Sequence, residues 1–145
     1  MIFDFVKTGT SRFLPVTSED IQKLEEIIGK TIPNELLVFY KEIGYGFLNT
    51  KNFNIDRFMD PISVMEFRTK TGIYENYPYI DAFDNFQENK LIFFEQDESA
   101  YFSIEINSNE SSRIFYYETV IADSLEEFLK KMMENDEYYF ELVSG

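Results

Sequence analysis

Leu91-Ile92-Phe93-Phe94-Glu95, the polar break Gln96-Asp97-Glu98-Ser99, and Tyr101-Phe102-Ser103-Ile104-Glu105-Ile106 are the stretch whose reading decides the fold. The first piece is a short apolar run. In the last, Tyr101, Ser103 and Glu105 alternate with Phe102, Ile104 and Ile106, the period of two that sends successive side chains to opposite faces of a strand. Asn107-Ser108-Asn109-Glu110-Ser111-Ser112 follows as a turn or exposed loop. Ile114-Phe115-Tyr116-Tyr117 then reads as a third strand and Val120-Ile121-Ala122 as a shorter fourth. Parallel strands need a crossover of a dozen or more residues, and none of these connections has room for one. The spacing predicts an antiparallel meander.

Helical spacing begins on both sides of this block. Downstream, Ser124 with Glu127 forms a capping box, and Leu125, Phe128, Leu129, Met132 and Met133 make one apolar stripe. The tail beyond Asn135 carries Tyr138, Tyr139, Phe140 and Leu142, which predicts that it docks on the body. Upstream, Thr17 with Asp20 caps a first helix whose stripe is Ile21, Leu24, Ile27 and Ile28, and Gly29 suits its left-handed end. Pro33 opens a second helix with the stripe Leu36, Leu37, Tyr40 and Ile43, closed by Gly44. So short a link between two helices predicts an antiparallel pair. Between Phe47 and Glu88 no long period emerges. There Asp60-Pro61-Ile62-Ser63-Val64-Met65 reads as a short strand running into a helical turn, and residues 74–86 as a loop rich in aromatics and acids. With no repeat and no linker, residues 1–145 form one α+β domain, an antiparallel sheet flanked by helices.

Composition narrows the chemistry. The chain of 145 residues has neither Cys nor His. That removes disulfides, thiolate nucleophiles and Cys-based zinc sites, together with the commonest general base and the commonest nitrogen ligand. Carboxylate pairs, oxygen-ligated Mg²⁺ or Ca²⁺, and Lys or Tyr nucleophiles are what remain. The expectation is a protein that is not an enzyme and needs no cofactor. Sixteen Phe and ten Tyr argue for a substantial core rather than disorder. The net charge of −14, from 27 acids against 13 bases, repels nucleic acid and anionic membranes. It suits a basic protein partner, which charge complementarity would steer into place, or it serves solubility alone. The opening Met1–Lys7 lacks the plan of a signal peptide and no run reaches the ~20 apolar residues of a membrane span, so a cytoplasmic chain is expected.

Three stretches combine acids with aromatic residues. Tyr77, Tyr79, Asp81, Asp84 and Glu88 suit a hot spot for a basic partner, or else a solvated loop whose Phe83 and Phe86 plug the core. Glu95, Asp97 and Glu98 could imitate phosphates and enter a basic cleft, or make an ordinary hydrophilic turn. Their spacing lacks the glycine and distal Glu of a calcium loop. Glu134, Asp136, Glu137, Tyr138, Tyr139 and Glu141 offer aromatic contact area, or a C-terminal element packed on the sheet. Gly44-Tyr45-Gly46 is too short for a nucleotide fingerprint.

The order of these pieces resembles the SUKH superfamily. Ile21-x-x-Leu24-Glu25-x-x-Ile28-Gly29 followed by Ile32-Pro33-x-x-Leu36-x-x-Phe39-Tyr40 is similar to its opening. Phe93-Phe94 through Ile106 resembles its central hairpin, and Ile121-Ala122-Asp123-Ser124-Leu125-Glu126-Glu127-Phe128-Leu129 its closing signature. The match spans roughly residues 17–133. Gly44-Tyr45-Gly46 stands where the family usually has Asn-Gly or Gly-Gly. The resemblance implies an immunity protein that neutralises a cognate toxin domain, in many cases a nuclease, and the acidic charge suits a toxin domain that is basic. A regulatory scaffold that recruits a cytoplasmic protein is the other role the resemblance implies, and no catalytic residue comes with it.

Overall fold

The four strands read from the sequence form, and three short ones join them ahead. The computed structural model describes residues 2–9, 11–48, 54–78, 80–97 and 100–143, and of Asn85 and Phe86 the backbone. In chain order the elements are β1 (Arg12–Leu14), α1 (Ser18–Ile28), α2 (Asn34–Glu42), β2 (Tyr45–Phe47), β3 (Arg57–Phe58) and α3 (Pro61–Thr69). Then come β4 (Lys90–Glu95), β5 (Tyr101–Glu105), β6 (Ile114–Tyr116), β7 (Thr119–Ala122), α4 (Leu125–Glu134) and a short α5 (Phe140–Val143). The sheet order is β1 to β7 in sequence, every neighbouring pair antiparallel. The meander is therefore real and nearly twice as wide as predicted.

Register lays two rows across the sheet. Phe13, Gly46, Phe58, Phe94 and Phe102 are successive partners on one face, and Arg12, Phe47, Arg57, Glu95 and Tyr101 on the other. The aromatic row faces α2 and α4. Phe39 of α2 stacks on Phe58 at 3.9 Å, and Phe128 of α4 meets Phe93, Phe94 and Phe102 edge-on at 5.3–5.8 Å. These are the arrangements that aromatic quadrupoles favour. The mixed row is covered by α3 and the 3₁₀ turns at Gly72–Tyr74 and Ile80–Phe86, where Phe67, Tyr77 and Phe83 surround the Tyr101 ring. Hence Tyr101, Phe102, Ser103 and Ile104 are all buried, although their alternation in sequence suggests one wet face.

Local chemistry sets most of the ends. Thr17 Oγ1 accepts from Asp20 N–H at 3.2 Å, and Ser124 accepts from Glu127 N–H at 3.0 Å, as their spacings predict. Gly29 ends α1 at φ +71. Residues 60–65, read as a strand entering a helical turn, belong instead to α3 after Asp60 caps it by accepting from Ser63 N–H. Pro61, Ser63, Val64 and Phe67 are buried and Ile62, Met65, Glu66 and Arg68 half-buried, so burial runs round the helix and no wet face sets off a stripe. Gly44 and Gly46 explain Gly44-Tyr45-Gly46. A Cβ on either would sit 1.9 Å from the carbonyl oxygen of Leu14 or Arg12, so only glycine lets β2 lie against β1 there.

Candidate partner-binding face

In a meander, connections alternate between the two ends of the sheet. The links β2–β3, β4–β5 and β6–β7 therefore share one end. The chain leaves β7 at the opposite end, and α4 carries it back, delivering residues 135–143 to the first end. Contacts agree with this parity. Gln96, in the β4–β5 turn, is the hub. Its carbonyl accepts from Ile55 N–H at 2.8 Å, and its side-chain amide donates to the Asp136 carbonyl and to Asp56 Oδ1 at 3.4 Å. Its side-chain oxygen accepts from the Tyr139 hydroxyl. Asn54 adds a bond to Asp136 Oδ2 at 2.9 Å. Two stretches about forty residues apart in sequence, 95–98 and 134–141, are thus brought to one end.

Several of the residues that the sequence singled out turn inward there. Asp136 has no exposed surface and Tyr139 is 3% exposed. The Tyr138 hydroxyl donates to Ile121 O at 2.6 Å, its ring half-buried. Glu95 lies along the covered face, 3.4 Å from Arg57 and accepting from Tyr101 O–H at 2.9 Å. Burial, aided by Tyr77 and by Glu95, drives the Tyr101 phenol far above its ordinary pKa. Tyr139 is raised too, by burial first and then by Tyr116, Asp97, Glu137 and Asp136 around it. An anchoring role for Glu95, Asp136 and Tyr139 at a partner does not fit these interior positions, because each is already spent on holding the end together. Asp97 is half-buried and accepts from Ala100 N–H at 2.9 Å, while Glu137 is half-exposed.

The first stretch lies apart from the hub. Asp81 and Asp84 are exposed and grip Lys70 Nζ at 2.6 and 2.9 Å. Glu88 is exposed beside Arg68 and Gln87. Phe83 does plug the core, against Phe67, Tyr101 and Tyr117. Tyr79 and Glu98 lie outside the described residues, as does the Phe86 side chain.

What the hub end offers outward includes Glu134 and Glu141 of the third stretch, with apolar residues that the sequence reading assigned to docking or did not name. Phe140, Leu142 and Val143 on α5 are 48%, 50% and 36% exposed, and Ile55 is 41% exposed. Glu118, Glu134 and Glu141 are exposed at the same end. The tail docks through Tyr138 and Tyr139 and leaves its apolar tip in solvent. Among the described residues no group of three or more acids is arranged to hold a metal ion, and no helix is long and apolar enough to cross a membrane. An aromatic-cored sheet that ends in apolar side chains and carboxylates has the makings of a protein-recognition domain.

Comparison with known proteins gives the family. The SUKH_6 family model, described as SMI1-KNR4 cell-wall, matches residues 18–129, and the chain belongs to the SUKH superfamily. It is also 44% identical over 144 residues to "Immunity protein YxxD" of Bacillus subtilis (strain 168), covering 99% of this chain and 98% of that protein.

Proposed function

We propose that this chain is a cytoplasmic immunity protein that binds the toxic domain of a cognate effector and blocks its active site or substrate groove without chemistry of its own. The similarity to an immunity protein along practically the whole chain is the observation that carries this reading. The hub end is the contact face. Phe140, Leu142 and Val143 form its apolar centre, and Asp97, Glu118, Glu134, Glu137 and Glu141 its acidic rim. A rim of this sign suits a basic toxin such as a nuclease, since such a surface must attract phosphate. Asp81, Asp84 and Glu88 extend the acidic field on the side of the 72–86 segment.

Co-expression tests the function. A toxin domain encoded beside this gene should arrest growth alone and fail to do so in the presence of this chain. Growth arrest unrelieved by the chain overturns the reading. A regulatory scaffold that recruits a cytoplasmic protein is the second role, the other one that the family resemblance implies. An adjacent gene for a large toxin with a variable C-terminal end separates the two.

A further inference from the structure

The two edges of the sheet are treated differently. At β7, the Tyr138 hydroxyl occupies the Ile121 carbonyl, and α4 and α5 pack along the strand. At β1, β2 lies on one side, and among the described residues nothing pairs with the other. An edge left in this state is a template for another strand.

Grooves lie on both faces of β1. One, of about 450 Å³, is lined by Lys7, Ser11, Phe13 and Ile43. The other, of about 480 Å³, is lined by Arg12, Leu14, Tyr45 and Phe47. Leu14 is 59% and Phe47 45% exposed, because α3 and the 72–86 segment cover the mixed row only from Arg57 onward. A strand added to β1 would send alternate side chains into these two grooves, the arrangement by which edge addition gains specificity.

Charge says which strand fits. Between residues 2 and 18 the bases Lys7 and Arg12 meet a single acid, Asp4, in a chain of net −14. Both bases are exposed, and neither makes an ion pair among the described residues. A second copy of the chain would bring the same cations together. We propose that the β1 edge receives an extended segment of a partner protein, with apolar residues at alternate positions against Leu14, Tyr45 and Phe47 and carboxylates between them beside Lys7. This surface is separate from the hub end, and its test needs no toxin.

The probe is a capped seven-residue peptide alternating Val and Glu, titrated into ¹⁵N-labelled protein, with a Val-Lys peptide as its counterpart. The Val-Glu peptide should move amide signals of Ser11–Leu14 and Tyr45–Phe47. It should bind a few-fold more tightly than the Val-Lys peptide, about twofold to fivefold, as one exposed charge contact at Lys7 allows. Leu14→Lys, at an exposed position, should abolish the shifts while leaving the rest of the spectrum in place. Lys7→Glu should reverse the preference. No shift with either peptide overturns the proposal, as does a response centred elsewhere. So does a concentration-dependent dimer that Leu14→Lys dissolves, since a second copy would then be the occupant.

Discussion

Glu35 is the carboxylate whose removal should cost this protein most. It is 7% exposed, at the start of α2, and accepts three backbone N–H bonds. Ser112 and Leu125 donate to Oε1 at 3.0 Å each, and Glu126 donates to Oε2 at 3.2 Å. Two of those donors open α4, so a negative charge sits on the positive end of that helix while also pinning the β5–β6 loop. Hydrogen bonds to a charged group contribute about 1.5–3 kcal/mol each, and orphaned buried donors add a desolvation cost. Non-additivity brings Glu35→Ala to about 3–5 kcal/mol, the size seen on breaking a buried charged link. Glu35→Gln keeps an oxygen for Ser112 and Leu125 but turns an amide on Glu126 N–H, so about 1–2 kcal/mol is expected. In urea, with a slope near ~2 kcal/mol/M, the Ala variant should unfold about 1.5–2.5 M earlier. Glu35 lies at the end of the sheet away from Gln96, so partner affinity of the folded fraction should not change. A Glu35→Ala midpoint within about 0.3 M of the parent refutes the reasoning.

Four further outcomes follow from the structure. Tyr139→Phe removes the donor to Gln96 and should lose about 1–2 kcal/mol in the same denaturation, with affinity for the partner falling only as far as the hub loosens. Gly46→Ala places a Cβ 1.9 Å from Arg12 O at φ +150, and hydrogen exchange at β1 should accelerate by at least about tenfold. Glu137→Lys with Glu141→Lys should slow toxin association several-fold, about tenfold at most, and flatten its salt dependence, read by stopped flow. Tyr40, Tyr101 and Tyr139 are raised by burial and Tyr74 reaches about 12, so the fold favours their neutral forms. Stability from these groups is complete below the ordinary phenol pKa of about 10 and is lost as pH rises above it. Absorbance at alkaline pH should show a cooperative step that coincides with loss of far-ultraviolet circular dichroism.

The meander and three helices were legible because each leaves a local mark. Thr17 with Asp20, Ser124 with Glu127 and Gly29 act over three or four residues, within reach of a pattern. β1, β2 and β3 are two or three residues long, too short for alternation to register, and Gly46 breaks what period β2 has. α3 was misread because burial on several sides erases the stripe that marks a surface helix. The composition of the candidate site was legible and its orientation was not. Asp136, Tyr139 and Glu95 carry the residue types of an interface, but Gln96 and Arg57 hold them inward through contacts that span 38 to 43 positions. Glu35 lay further out of reach, since its partners are 77 to 91 positions away.

Calorimetric titration of this protein with the toxin domain encoded beside its gene, at low and physiological salt, tests the central claim most directly. The parent should bind one-to-one, more weakly at the higher salt, and Phe140→Ser with Leu142→Ser should cost at least about tenfold in affinity while leaving the circular dichroism unchanged. Absence of binding by the parent at either salt would contradict the immunity reading, and full affinity in the double variant would contradict the hub end as its face.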